Sequence, residues 1–491
     1  LTFIFLLFCV FNSNAQLSKK HYIPPLTSAE FGNANPESQY FYISTPSTKN
    51  ITYTIIPVGQ PSSSVLSGLV SNTNPVEISL GTGYGQLFLE SKESSVVQNN
   101  KGYIIEAEDV IYVSLRVKAG SSAQAGALVS KGLSALGNTF RVGSFTNQSP
   151  DTNYMNFVSV MATEDNTVVT FDDLPAGLTI KNYSGAFPIV INLNEGESYT
   201  VATNSSESVV NRDGLIGALV QSDKPIVVNS GSANGSFHNG GGRDYGIDQI
   251  VGYSKVGNQY IFVKGDGNDG WENVLLVAHE DNTIISINGN APVATINAGG
   301  YYLIEGDNYS ANQNMYVSTN KNVFAYQGIG ANSSEANQGL FFVPPLSCEN
   351  RGNVNNIANI QNIGTTVYNG GITIITNKNA TVSVNSQPIN ATPQDVTGNT
   401  NYVTYKLSGL TGDVSIESSG ELYCAYYNFN GAATSGSFYS GFPSAPEINL
   451  NTSVATLGTC IPNTTLSSTN IDIFDQFEWF FNNGSSNCTR N

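Results

Sequence analysis

Charged residues are scarce in this chain, and basic residues are the scarcest of them. Asp, Glu, Lys and Arg make up 12% of the 491 residues, and 37 acidic against 20 basic residues give a formal charge of −17. Too few Lys and Arg are present to form a basic patch that could neutralise a phosphate backbone or an anionic lipid surface. The composition therefore argues against nucleic acid and anionic membranes as partners.

Cysteine is rare as well. Apart from Cys9 in the amino-terminal apolar run, the chain contains Cys348, Cys424, Cys460 and Cys488, and none stands in a C-x-x-C pair. This spacing argues against a zinc site or a redox motif. Disulfides Cys348–Cys424 and Cys460–Cys488 are one interpretation, and free buried thiols are the other. Spacing alone does not decide between them.

Glycine, Asn, Ser and Thr are abundant, and the chain has 48 Gly and 25 Tyr. Gly and Asn favour turns, and Ser and Thr suit the exposed faces of strands. This mixture is typical of extracellular β proteins. A chain of this length is expected to form several domains.

The amino terminus predicts secretion. Residues 1–10 are apolar, and Ser13 and Ala15 supply the small residues that precede cleavage by signal peptidase, here before Gln16. The apolar run is too short to span a bilayer. Because an initiator Met and a basic segment are missing, we expect the sequence to begin inside its signal peptide.

Two phrases recur along the chain. Residues 162–171 (ATEDNTVVTF) return as residues 278–287 (AHEDNTIISI), and residues 220–228 have a looser echo at 317–325. Each phrase is a polar turn followed by alternating β-forming residues. The repeats predict tandem β modules, which present surface for binding more often than they catalyse reactions.

The modules can be given approximate bounds. We expect a lead-in at residues 16–38, a first β module at 39–136, two repeats within 137–345, a fourth module at 346–446 and a distinct tail at 447–491. The second and third modules span about 153–231 and 259–328. Residues 123–136 are the best helix candidate, because their Ala, Leu and Val spacing is amphipathic. The predicted fold is all-β, with antiparallel sandwich or propeller-like modules arranged as a ring or as a rod.

The second and third modules resemble the amino-terminal domain of immunoglobulin-G Fc-binding proteins. An ordered series of phrases across residues 137–345 carries the resemblance: residues 140–143, 160–167, 193–199, 217–228, 248–250 and 338–345. The resemblance implies a secreted, adhesive or mucus-like surface protein. It does not imply that this chain binds an antibody.

The tail is a different unit. Residues 474–484 form an aromatic stretch around Trp479 that ends in Asn-Asn-Gly, which looks like the beginning of an immunoglobulin-like domain. It is similar to modules of Bacteroidota surface proteins associated with gliding motility and type IX secretion. The Asn-Ala-Gln end of the signal peptide suits the same group.

One loop could bind a metal ion. Asp266, Asn268, Asp269 and Glu272 offer hard oxygen ligands of the kind that Ca²⁺ prefers, although Glu272 is not at the spacing of a bidentate calcium ligand. A turn between two strands is the simpler interpretation. No cofactor other than calcium is expected.

Catalytic motifs are weak. There is no Gly-x-Ser-x-Gly elbow, and His21, His238 and His279 are the candidate bases. His238 lies in the glycine-rich loop 236–244, which is either a mobile surface loop or a ligand-contacting one. Asp172 and Asp173 are neighbours on one strand and would point to opposite faces, so a glycosidase pair is not expected.

Tyrosine clusters remain as candidate contacts for a sugar or a protein. They include Tyr301 with Tyr302, and Tyr423 with Tyr426 and Tyr427, although packing explains most tyrosines in a β protein. The leading hypothesis is a non-enzymatic secreted or surface protein for adhesion to an extracellular protein or glycan. A carbohydrate-binding or carbohydrate-acting protein and a structural spacer are the alternatives.

Overall fold

Seven-stranded units with one strand order repeat three times along the chain, and a fourth unit is a variant of them. The computed structural model describes residues 16–29, 35–150, 154–238, 243–330, 338–347, 350, 352–442, 448–452 and 464–468. Almost all regular structure in these residues is β, which confirms the predicted all-β class. The helical elements are short 3₁₀ turns at Ser62–Ser64, Ser91–Glu93, Gly132–Ala135, Tyr253–Lys255, Asp269–Trp271 and Gly306–Asn308. Within the described residues, no helix has the length and apolar character needed to cross a membrane.

The first module holds nine strands. They are β1 (Ser18–Ile23), β2 (Leu26–Thr27), β3 (Pro36–Ser44), β4 (Ile51–Pro57), β5 (Leu66–Val70), β6 (Val76–Thr82), β7 (Phe88–Leu89), β8 (Tyr103–Ala119) and β9 (Gln124–Val129). The sheet order is β5-β4-β8-β3-β6, with β1 and β9 also paired to β8. Because β1 is part of this sheet, the module begins within the stretch predicted as a lead-in.

The second and third modules repeat that order. The second contains β10 (Gly137–Arg141), β11 (Met155–Ala162), β12 (Thr167–Asp172), β13 (Ile189–Leu193), β14 (Ser198–Asn204), β15 (Leu219–Gly235) and β16 (Asp244–Ile250). The third contains β17 (Gly257–Val263), β18 (Val274–Ala278), β19 (Thr283–Ile287), β20 (Pro292–Ile296), β21 (Tyr301–Ile304), β22 (Asn314–Gly330) and β23 (Gln338–Phe342). Their orders are β13-β12-β15-β11-β14 and β20-β19-β22-β18-β21.

The fourth module divides the same plan between two sheets. Its strands are β24 (Asn353–Ile357), β25 (Asn362–Ile363), β26 (Thr366–Val367), β27 (Asn369–Asn377), β28 (Val382–Val384), β29 (Gln387–Pro388), β30 (Gln394–Asp395), β31 (Tyr402–Leu410), β32 (Val414–Ser418), β33 (Leu422–Asn430) and β34 (Ala433–Ser440). The main sheets are β24-β32-β28-β29 and β30-β31-β27-β33-β34. In the tail, β35 (Ile448–Thr452) pairs antiparallel with β36 (Thr464–Ser468).

One 17-residue strand crosses each of the first three modules. The first half of β8 pairs with β1 and β4, and its second half pairs with β3 and β9. Strands β15 and β22 do the same in their modules. In the fourth module β32 and β33 take the two halves. Each module is therefore a sandwich whose two layers share one chain segment, in the way that bent strands change sheets at sandwich corners.

The last main strands of the four modules meet around a common centre. Strand β9 lies beside β16 and β34, and β23 also lies beside β16 and β34. The four modules thus close a ring, which decides between the two arrangements that the sequence left open. A closed ring leaves each module packed against two neighbours.

The centre of the ring explains why the predicted helix at 123–136 is wrong. Strand β9 is buried along its whole length, and a Cβ atom at Gly126 would stand 2.6 Å from Cβ of Tyr245 in β16. Ala and Gly are needed here because two strands approach closely, not because a helix forms. Helical structure in this stretch is limited to the 3₁₀ turn at Gly132–Ala135.

Two buried carboxylates of β16 bind the other three central strands. Asp244 accepts the backbone N–H of Ala125 at 2.5 Å and of Thr434 at 2.6 Å. Asp248 accepts the N–H of Phe342 at 2.9 Å and forms a fully buried ion pair with Lys131, at 3.1 Å. Buried carboxylates are costly unless they are paired or hydrogen-bonded. Asp248 has both kinds of partner, and Asp244 is held by backbone N–H groups, including its neighbour's, that of Tyr245.

A buried arginine joins the fourth module to the first. Arg116 of β8 donates to the carbonyl oxygens of Asn359 at 2.7 Å, Asn362 at 2.9 Å and Ala358 at 2.7 Å. Its guanidinium carbon lies 3.9 Å from the ring centroid of Tyr42 and 4.9 Å from that of Tyr426. A planar fork of donors between two aromatic faces is a role that lysine cannot fill.

The recurring Glu-Asp-Asn-Thr phrase forms the same turn in both copies. Asn166 and Asn282 have positive φ angles of 54° and 56°, a region that Asn tolerates better than most residues. Thr167 and Thr283 each donate a hydroxyl proton, at 2.7 Å, to the carbonyl of the Glu three residues earlier. The interpretation of the phrase as a strand-initiating turn is confirmed.

Candidate functional site

Arg141 lies at the junction of the second and third modules. It is the last residue of β10, and its side chain is 3% exposed. Its Nη1 donates to Oδ2 of Asp173 at 2.5 Å and to the carbonyl oxygen of Gly217 at 2.8 Å. Its Nε lies 3.4 Å from Nδ1 of His279, which belongs to the third module. The guanidinium thus connects the two modules.

His279 is covered by an aromatic ring. The Tyr253 ring centroid lies 4.1 Å from that of His279, and the Tyr253 hydroxyl donates to Glu280. Partial burial, followed by the Arg141 charge, lowers the pKa of His279, so the imidazole is neutral near neutral pH. The same environment raises the pKa of Tyr253 to about 12, through burial first and the Glu280 carboxylate second. We call Arg141, Asp173, Tyr253, His279 and Glu280 the Arg141 cluster.

A second polar cluster lies at the same junction. His238 Nε2 is 2.9 Å from Oε2 of Glu305, and Nδ1 is 3.1 Å from Oε1 of Gln148. Asn273 donates to Glu305 at 2.7 Å and lies 3.1 Å from His238 Nε2. His238 and Gln148 belong to the second module, and Asn273 and Glu305 to the third. We call these four residues the His238 cluster; residues 239–242 of its loop lie outside the described part of the chain.

A tyrosine–carboxylate contact crosses the junction as well. The Tyr301 hydroxyl donates to Oδ2 of Asp213 at 2.6 Å. Tyr301 is the first residue of β21, and Glu305 directly follows the last one. The Tyr301 contact and the His238 cluster therefore belong to one continuous stretch of the junction. We refer to the two clusters together with Tyr301 and Asp213 as the 2–3 seam. Two of the three histidines of the chain lie in it.

The two histidines of the seam contact charged, amide and aromatic groups. His238 faces a carboxylate and two amides, and His279 faces a guanidinium and a phenol ring. In the described part of the chain, Ser130 is the residue whose hydroxyl lies within hydrogen-bonding distance of a histidine, with its Oγ 2.9 Å from Nδ1 of His21. Both residues are fully buried, so a substrate could not reach this pair. His21, expected in a lead-in, is a core residue of β1.

The four predicted calcium ligands make other contacts. Asp266 pairs with Lys406 at 2.9 Å, and Asp269 pairs with Lys264. Glu272 is fully buried and accepts three backbone N–H groups, those of Gly265, Gly267 and Gly330, at 2.8 to 3.0 Å. Burial raises the pKa of Glu272 to about 8. Asn268 precedes the 3₁₀ turn at Asp269–Trp271 as its N-cap residue.

These ion pairs and hydrogen bonds, made within the protein, stabilise the loop. Two lysines neutralise Asp266 and Asp269, and Glu272 holds the backbone of the loop, which is the turn interpretation given above. In the described residues there is no group of three or more His, Cys, Asp or Glu side chains able to hold a metal ion.

The other predicted contact residues lie mainly in the interior. Tyr423, Tyr426 and Tyr427 are at most 1% exposed, so they pack in the core and cannot stack on a ligand. Cys424 is buried, and burial raises the pKa of its thiol. Cys348, Cys460 and Cys488 lie outside the described residues, so both disulfides stay predictions.

Several seam residues were missed in the sequence. Arg141 lies in residues 140–143, one of the phrases that carry the family resemblance, but it was given no role there, and Tyr253, Asn273 and Glu305 belong to no motif. Rarity was the available signal, because a strand arginine is unusual in a chain with so few basic residues.

Comparison with families of known proteins gives a match over most of the chain. A family model described as IgGFc binding protein matches residues 126–428, from β9 of the first module to β33 of the fourth. The match extends beyond residues 137–345 on both sides and includes most of the ring. No curated protein matches the chain.

Proposed function

Since this chain belongs to the IgGFc-binding protein family, we propose that it is a secreted, non-enzymatic protein that binds an extracellular protein partner in adhesion or in a matrix. The family suggests an extracellular protein-binding role. The 2–3 seam is the observation that carries the proposal for this chain.

The seam has the chemistry of a protein contact surface. Interfaces are enriched in Tyr, and side chains that are already held in place cost less to immobilise when a partner binds. Tyr253, Tyr301 and His238 are partly exposed, and each is fixed by a carboxylate, Glu280, Asp213 and Glu305 respectively. Fixed aromatic and imidazole groups lose little conformational entropy when a partner binds.

Closure of the ring supports the same proposal. Modules that pack on both sides hold the seam rigid, and a rigid surface binds without a cost for ordering it. Absence of turnover is part of the proposal, and the surroundings of the three histidines support it.

The setting is proposed on sequence grounds. The apolar segment at 1–10 with its small-residue cleavage site supports export. The tail and the Asn-Ala-Gln end of the signal peptide support a Bacteroidota surface protein of the type IX secretion, gliding-motility kind.

A binding panel tests the proposal. The purified chain is passed over immobilised extracellular proteins, namely the Fc fragment of immunoglobulin G, fibronectin, collagen and mucin, and binding is measured by surface plasmon resonance. Saturable binding to at least one of them, with the bound protein recovered unmodified by mass spectrometry, is expected. Failure to bind any of them, or cleavage of the bound protein, would contradict the proposal.

A further inference from the structure

A cleft of about 300 Å³ lies between the third and fourth modules, and none of its lining residues belongs to the 2–3 seam. Val263 of β17 and the turn at residues 311–313 line it on one side, and β30 and β31 line it on the other. This volume is at the small end for ligand sites and suits one or two sugar rings.

The residues that line the cleft combine apolar surface with several amide and hydroxyl side chains. Asn312, Gln313 and Gln394 contribute side-chain amides, and Thr392 and Tyr405 contribute hydroxyls. Asn312 and Gln394 each use an N–H on a carbonyl oxygen, of Asp395 at 2.8 Å and of Thr392 at 3.1 Å. These bonds fix the two amides and leave their oxygen atoms as acceptors.

The charges at the cleft are already neutralised. Lys406 Nζ donates to Oδ1 of Asp266 at 2.9 Å and to the carbonyl oxygen of Gly265 at 2.8 Å. Asp395, beside Gln394, pairs with Lys378 at 2.9 Å. An anionic or cationic ligand would have to compete with these pairs, so the lining favours an uncharged polar ligand.

Gln313 is the most informative residue in the cleft. Its φ angle is +59°, where Gly or Asn is normally found, and a Gln there is strained. Its backbone closes the turn, since Gln313 N–H donates to the Ser310 carbonyl oxygen at 2.9 Å and its own carbonyl accepts from Lys264 at 2.9 Å. The side chain is exposed, and among the described residues it has no hydrogen-bond partner. The turn requires the conformation, but nothing in the fold requires the amide.

From these observations we propose that the cleft between the third and fourth modules binds a short neutral saccharide, with the Gln313 amide as a hydrogen-bonding contact. Planar amides that donate and accept together match the paired hydroxyls of a sugar ring. This site is separate from the proposed protein-binding seam, and either can hold without the other.

Saturation-transfer NMR on the intact chain tests the site. The probes are glucose, galactose, mannose, N-acetylglucosamine, N-acetylgalactosamine and their disaccharides, with sialic acid and inorganic phosphate as charged comparisons. We expect saturable binding of at least one neutral sugar. No saturable binding of any neutral sugar, or binding of the charged probes alone, would overturn the proposal.

A glycine variant separates binding from folding. Gln313→Gly removes the amide but suits a positive φ angle, so we expect an equal or higher melting temperature and an affinity reduced about fivefold, the effect of one lost hydrogen bond. Ser386→Gly is the matched control, because Ser386 is exposed, has a φ angle of 61° and lies outside the cleft. Wild-type affinity in Gln313→Gly, or an equal loss in Ser386→Gly, would refute the assigned contact.

Discussion

Lys321 donates to the carbonyl oxygen of Asp281 at 2.7 Å, and this bond joins the two phrases that recur in the sequence. The second module has the same contact between Lys224 and the Asp165 carbonyl oxygen. The backbone is tied in parallel, since Val168 N–H donates to Asp223 at 2.8 Å and Ile284 N–H donates to Asn320 at 2.7 Å. The second and third modules thus each carry a turn and the strand segment that holds it. The two phrases repeat together because they contact each other.

The first prediction concerns this turn. Asn282 has a φ angle of 56°, a left-handed conformation that Ala tolerates less well than Asn. We therefore expect Asn282→Ala to lower the free energy of unfolding by roughly 1–2 kcal/mol. Asn282→Gly is the matched control and should stay closer to the wild type. Urea denaturation measures both. Equal stability of the Ala and Gly variants would show that the turn does not depend on this conformation.

The second prediction concerns ring closure at Arg116. Arg116→Met removes three hydrogen bonds, including the one to the buried carbonyl oxygen of Ala358, so a loss of about 3 kcal/mol is expected. Arg116→Lys should also destabilise, because an ammonium cannot make all three bonds or stack between Tyr42 and Tyr426. Thermal and urea unfolding measure the effect. A lysine variant as stable as the wild type would contradict the role given to the planar fork.

The third prediction concerns acid stability. Full burial lowers the pKa of His21 from 6.5 to about 4, so the folded chain keeps His21 neutral where the unfolded chain protonates it. The contribution of neutral His21 to the free energy of unfolding is therefore complete above pH 6.5. It is lost as the pH falls from 6.5 to 4, at up to roughly 1.4 kcal/mol per pH unit.

His21→Gln isolates this contribution from that of the other titrating groups. The unfolding free energy is measured against pH for both proteins, and the wild type should lose more than the variant across that window. Parallel curves would mean that His21 does not titrate on unfolding.

The fourth prediction concerns the loop around Glu272. Because Lys264 and Lys406 neutralise Asp269 and Asp266, and Glu272 is bound to three N–H groups, millimolar calcium should not raise the melting temperature, nor should a chelator lower it. Above about pH 8, where Glu272 is ionised, Glu272→Gln should destabilise without calcium, since an amide has one acceptor oxygen in place of two. A calcium-dependent rise in melting temperature that Glu272→Gln removes would contradict this prediction and support the calcium site.

The sequence was sufficient to predict the all-β class and the recurring turns, while the helix at residues 123–136 was wrong and the contacts between modules could not be predicted. The Asn-Thr turns could be predicted because they depend on neighbouring residues. The error at residues 123–136 arose because Ala and Gly were taken as helix-forming residues. These small side chains are present because β9 packs closely on β16. Arg141 and His279 are 138 residues apart, so no local pattern could bring them together. The ring rests on contacts of the same kind, between buried polar residues of different modules.

The central claim is that the 2–3 seam binds an extracellular protein, and its most direct test is the affinity of a seam variant. His238→Ala combined with Tyr301→Phe changes two contacts that cross the junction, and Ser386→Gly serves as a control in the fourth module. By surface plasmon resonance against the panel protein that binds the wild type, the account predicts at least a tenfold loss for the seam variant, with its melting temperature changed little. Unchanged affinity of the folded seam variant would contradict it.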